Sequence, residues 1–133
     1  MDCSRGATYW MELAAYDLDV AKAMLSTGKY LYVGFMCHQV IEKALKGCYT
    51  FVKQEMPPYK HNLIFLAQSA NIYETFSEDQ KNTIRSLMPL NVEARYPADR
   101  EKLLQSLNET RCREIIKETE ELFVWIKTKL SQN

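Results

Sequence analysis

The chain has 133 residues and a mass of 15.5 kDa, enough for one domain with a real core and too little for two. Apolar residues make up 47% and charged residues 26%, a globular balance that excludes a disordered chain. Lys plus Arg (17) equal Asp plus Glu (17), so the zero formal charge excludes a whole-molecule basic field for nucleic acid, though not a local patch.

The opening "MDCSRGATYW" carries charge and lacks the apolar centre of a secretory signal. No stretch approaches the roughly 20 apolar residues that span a bilayer. The four cysteines, Cys3, Cys37, Cys48 and Cys112, show no C-x-x-C. Cys37 and Cys48 fall in one predicted helix, about 16 Å apart along its axis at ~1.5 Å per residue, too far to bridge. The expectation is a cytoplasmic protein with free thiols, no membrane contact, and no metal or cofactor.

From Thr8 to Ser26, Trp10, Leu13, Ala14, Asp17, Val20, Ala21 and Met24 recur at spacings of three and four. That is one helical face, apolar except for Asp17. "TGKY" closes it, with Gly28 the expected residue just past the end. A longer stripe follows: Tyr30, Val33, Gly34, Cys37, Val40, Ile41, Ala44, Leu45, Cys48, Phe51 and Val52, with His38, Gln39, Glu42, Lys43 and Lys46 along its flank. Pro57 and Pro58 end it.

"HNLIFLAQSA" predicts a short helix capped by His61 or Asn62. "SEDQ" at Ser77–Gln80 matches a capping box and opens a fourth helix through Ile84, Leu87 and Met88. "NVEARYPADR", from Asn91 to Arg100, reads as a charged loop. "SLNE" at Ser106–Glu109 reads as a second capping box, opening a last helix with Ile115, Ile116, Thr119, Leu122, Phe123, Ile126 and Leu130 on one face. No period-two strand pattern, repeat or linker is present. The predicted fold is an all-α up-and-down bundle of four to five helices, one domain over residues 1–133.

Few residues break this pattern. Asp17 places a carboxylate on an apolar stripe, which is costly unless paired. It is either a structural partner for an Arg, Lys or Tyr of another helix or a site carboxylate. His38, Glu42 and Lys46 are spaced by four, so they share one edge of the second helix. That edge is either an acid/base row, a phosphate clamp or a solvated flank holding one Glu–Lys pair. His61 reads as a cap or packing residue. The two histidines fit no zinc pattern, and neither a P-loop, a G-x-G-x-x-G nor a G-x-S-x-G occurs. Ligand binding by an all-α domain, RNA chemistry and protein–protein contact are the classes left.

"YDLDVAKAML", "GKYLYVGFMCHQVIEKALKG", "PPYKHNL" and "ARYPAD", in that order, resemble the HEPN family (higher eukaryotes and prokaryotes nucleotide-binding domain). The resemblance runs from about Trp10 to Leu130. Its most specific pieces are Q-x-x-E-K-x-x-K at Gln39–Lys46, H-N-L at His61 and R-Y-P at Arg95. It implies a helical bundle, commonly a homodimer, often beside a small nucleotidyltransferase subunit in toxin–antitoxin-like pairs. Nucleotide binding and metal-independent RNA cleavage are the activities it implies.

The ribonuclease branch uses an Arg followed by four to six residues and a His. Here positions 100–102 read Arg, Glu and Lys, and no arginine is followed by that spacing, because His61 is the last histidine. The preferred expectation is a nucleotide-binding or nucleotidyltransferase-partner module without catalytic residues. Arg95, Arg100 and Lys46 would meet phosphate, Tyr96 would stack on a base or plug the bundle end, and Asp17, His38 and Glu42 would line the cleft. One alternative is a homodimeric interaction module without a ligand, drawing on Tyr30, Tyr32, Phe35 and Tyr49. Another is a ribonuclease with non-standard catalytic residues acting on RNA.

Overall fold

A computed structural model describes residues 3–91 and 97–130 of the chain. In chain order it contains α1 (Cys3–Ser26), α2 (Tyr30–Lys53), α3 (Leu63–Ser69), α4 (Glu78–Leu87), α5 (Pro97–Ser106) and α6 (Glu109–Thr128). Two 3-10 turns, Tyr73–Thr75 and Met88–Leu90, flank α4. No strand occurs among the described residues. The fold class is the all-α bundle that the 3.6-residue periodicity predicts, with one more helix than expected.

The extra helix is α5. The loop read over Asn91–Arg100 ends at Pro97, which is the first residue of a helix reaching Ser106. Proline suits that position because the first helical N–H has no intrahelical partner and its φ is already set. The helix moves the next boundary as well. Ser106 closes α5, with Oγ donating to the Leu103 carbonyl at 2.7 Å, so it is not the cap of the last helix. Asn108 caps α6 instead, with extended backbone and a side chain that accepts from the Arg111 N–H at 2.8 Å.

Other boundaries fall where the residues place them. Gly28 takes φ +74 after α1. Lys29 N–H bonds to the Met24 carbonyl and Gly28 N–H to that of Leu25, the paired closure a left-handed residue permits. Asn62 caps α3 through Phe65 N–H. The reciprocal Ser77–Gln80 bonds form the predicted box at α4.

α2 is the central element, packed on α1, α6, α3 and α5. Val33, Cys37, Val40, Ile41, Ala44, Leu45 and Cys48 have no solvent exposure. They lie with Ala14, Leu18 and Ala21 of α1 and Ile115, Leu122 and Ile126 of α6 in one core. Truncating any of its large members to alanine costs about 2–5 kcal/mol. Gly47 brings α1 close, since a Cβ there would sit 3.1 Å from Trp10 Cβ and 3.2 Å from the Ala7 carbonyl oxygen. That approach places Trp10 beside the polar edge of α2.

Candidate functional site

The polar edge of α2 is not a solvated flank. His38, Glu42 and Lys46 are 1%, 4% and 6% exposed, because α1 and the turn before α3 cover them. Burying a carboxylate is costly unless it is matched, and Glu42 is matched several times over. Its Oε2 lies 3.1 Å from Lys46 Nζ and 3.0 Å from His61 Nδ1. Its Oε1 stands 3.7 Å from His38 Nδ1, beyond hydrogen-bond range. Neither of those two buried atoms has a hydrogen-bond partner in the structure.

The α2 spacing explains the three residues that share its edge, since four residues advance little more than one turn. His61 arrives from elsewhere. α2 does not run on to Pro57 and Pro58 as expected: it ends at Lys53, where Gln54 turns left-handed (φ 56) and its N–H bonds to the Thr50 carbonyl, and the chain then brings Tyr59 and His61 back over it. Tyr59 and His61 rings meet edge-on with centroids 5.7 Å apart. Lys46 Nζ lies 5.6 Å from the Trp10 ring and 5.9 Å from the Tyr59 ring, within the range where a ring face attracts a cation.

The result is graded from inside to outside. His38 is innermost, and burial pushes its pKa down from 6.5 to about 4 against the opposing pull of Glu42, so it is neutral at neutral pH. Glu42 and Lys46 form the middle. At the rim stand His61, half exposed, and Tyr59, 89% exposed. The rim offers a polarised imidazole and an open aromatic face.

The predicted site residues divide accordingly. His38, Glu42 and Lys46 come together. Asp17 is buried but belongs to a separate pair with Lys43 Nζ, a structural partner of the kind its position demanded. Arg100 lies on the first turn of α5, partly exposed, and forms no hydrogen bond or ion pair with the described residues of the α2 edge. Arg95 and Tyr96 lie outside the described residues.

Three members of the cluster, Trp10, Tyr59 and His61, are not among the predicted site residues: the sequence reads Trp10 on an apolar helical face and His61 as a cap or packing residue. Asn62 takes the capping role considered for His61, leaving the imidazole free to reach Glu42. The one signal was a histidine directly after a double-proline turn, and nothing local says that the turn folds back on α2.

A separate groove of about 610 Å³ between α4 and α6 is lined by residues that include Asp79, Gln80, Arg111, Glu118 and Glu121, and three carboxylates against one arginine suit phosphate poorly. Among the described residues no group of three His, Cys, Asp or Glu could hold a metal ion. No helix among them is long and apolar enough to cross a membrane.

Fold and geometry define an all-helical bundle whose central helix carries a buried His38–Glu42–Lys46 row beside an aromatic rim. The chain belongs to the HEPN domain family, whose model matches residues 7–129. Among solved structures it is similar to TT1696 from Thermus thermophilus, at 21% identity and a TM-score of 0.77, over 93% of this chain and 98% of that one. It is also similar to ST0689, an archaeal HEPN homologue, at 22% identity and a TM-score of 0.72, over 93% of this chain and 97% of that one. No curated protein matches the chain.

Proposed function

We propose that this HEPN chain is a binding module for a nucleotide, taken at the rim where Trp10, Lys46, Tyr59 and His61 meet. The observation that carries the reading is the Lys46 ammonium beside two aromatic rings and next to a half-exposed imidazole. An open ring such as Tyr59 stacks on any nucleobase. The half-exposed imidazole is the group placed to meet a phosphate oxygen, with the Lys46 ammonium behind it, paired to Glu42. Arg100 and the neighbouring Arg95 and Tyr96 are further candidate contacts, by guanidinium geometry and stacking. A small nucleotidyltransferase subunit is the partner that family resemblance favours, in a toxin–antitoxin-like pair within the cytoplasm.

Titration of purified protein with ATP, GTP and a short RNA, followed by thermal unfolding, tests this. A ligand of the native state at tenfold over its Kd adds about 1.4 kcal/mol, a midpoint rise of a few degrees. No rise at millimolar nucleotide sinks the reading.

A second reading rests on a different observation. Tyr9 and Tyr16 on α1 are 58% and 69% exposed, two turns apart on one face, and exposed aromatic surface favours interfaces. On this reading the chain is a homodimeric interaction module and binds no ligand. Sedimentation showing a dimer that Tyr16→Glu dissociates, with no nucleotide shift, selects it.

A further inference from the structure

The charges around Glu42 nearly cancel. The carboxylate and the Lys46 ammonium, 3.1 Å apart, offset one another. His38 is buried without a hydrogen-bond partner at Nδ1, and burial keeps it neutral. Gathered with His61 around Glu42 are Lys46 and His38 of α2 and Tyr59 of its own turn, with Lys60 preceding it in the chain and Trp10 of α1 against Lys46. Glu42 and Lys46 offset one another and His38 is neutral, so a proton on His61 changes the charge of this cluster at its half-exposed edge.

Glu42 also dictates what His61 presents. The 3.0 Å contact to Oε2 engages Nδ1, which must carry the proton because a carboxylate only accepts. Nε2 is the nitrogen left for a ligand. In neutral imidazole it holds a lone pair, which repels a phosphate oxygen. In imidazolium it holds an N–H, a charge-assisted donor to phosphate.

We infer that the rim takes up a phosphate group together with one proton, which resides on His61 Nε2 and is held in line by Glu42. The inference rests on the nucleotide reading above and adds its coupling to pH. No covalent bond forms or breaks. The proton comes from solvent and returns to it when the ligand leaves. Glu42 is a positioning residue here, and His61 is the ligand contact.

Calorimetry of ATP binding to the full chain, in two buffers of different ionisation enthalpy at one pH, measures the proton directly. His61→Gln serves as the parallel, since it keeps an outward polar group without the charge, and the titration of ATP itself is common to both proteins. The native chain is expected to take up a larger fraction of a proton than the variant. Its affinity should also rise more steeply between about pH 8 and about pH 6, by up to about tenfold per pH unit. Equal uptake by the two proteins overturns the inference and leaves nucleotide binding standing. Absence of binding across that range overturns both.

A second measurement needs no variant. In the imidazole ¹H–¹⁵N spectrum of the native chain with ATP bound, both nitrogens of His61 should carry protons. A bound spectrum with a lone pair on His61 Nε2 contradicts the inference.

Discussion

Replacing Glu42 with glutamine keeps the shape of the side chain and removes its charge. Lys46, 6% exposed, would then hold its ammonium against Trp10 and Tyr59 without the carboxylate that pairs with it. Leaving one member of a buried pair uncompensated costs about 3–5 kcal/mol. The lower end applies here, because the lysine stem lets the ammonium swing toward the rim of the cluster. A loss of about 3 kcal/mol from a domain stability of about 5–15 kcal/mol moves the urea midpoint down by about 1–2 M at an ordinary slope. Adding Lys46→Met to Glu42→Gln removes the stranded charge and should recover most of the loss, since buried pairs contribute little beyond their apolar replacements. Urea unfolding of the wild type, both single variants and the double variant gives the coupling. A Glu42→Gln midpoint within about 0.2 M of wild type, or a double variant no better than Glu42→Gln, would refute the buried, mutually compensating pair.

Further outcomes follow from the same structure. His38 has a folded pKa of about 4 against 6.5 unfolded, so the unfolded chain takes its proton first on acidification. Stability should fall as pH drops from about 6.5 to about 4, by on the order of 3 kcal/mol from this group, and urea midpoints for His38→Asn should lack that part of the slope. Asn108→Ala should lower stability by about 1 kcal/mol while Ser106→Ala changes it little, because the cap of α6 is Asn108; the reverse order would restore the capping box read at Ser106. Burial pushes the thiols of Cys37 and Cys48 up to about 12 and about 11 and raises that of Cys112, so all three should resist alkylation in the native state and react once urea unfolds the chain. Mass spectrometry of iodoacetamide-treated protein reads this directly.

Much of the bundle was legible because one rule governs it. Apolar residues at helical spacing in α1, α2 and α6 point at a shared core, and a turn residue such as Gly28 acts through its own backbone, whereas α2 ends at Gln54, ahead of the prolines expected to stop it. The boundary near Ser106 was misread for an equally local reason. Ser106 with Glu109 fits a capping box and Asn108, two residues on, fits a simple N-cap, and the helix starting at Pro97 decides between them by occupying Ser106.

The site divides in the same way. His38, Glu42 and Lys46 lie on one helix, so spacing alone puts them together. Spacing says nothing of burial, which comes from α1 crossing at Gly47 and from the turn carrying Tyr59 and His61. Those are contacts between distant parts of the chain, and no local pattern encodes them. Asp17 shows the reverse case, since its position demanded a partner without naming Lys43.

The proposed nucleotide binding at the Trp10–Lys46–Tyr59–His61 rim is tested most directly by ¹H–¹⁵N NMR during an ATP titration. Shifts are expected to concentrate in the Trp10 indole, the Lys46 amide and the amides of Tyr59 to Asn62, and to saturate with ligand. Shifts confined to the α4–α6 groove around Asp79 and Glu118, or none at millimolar ATP, would contradict it.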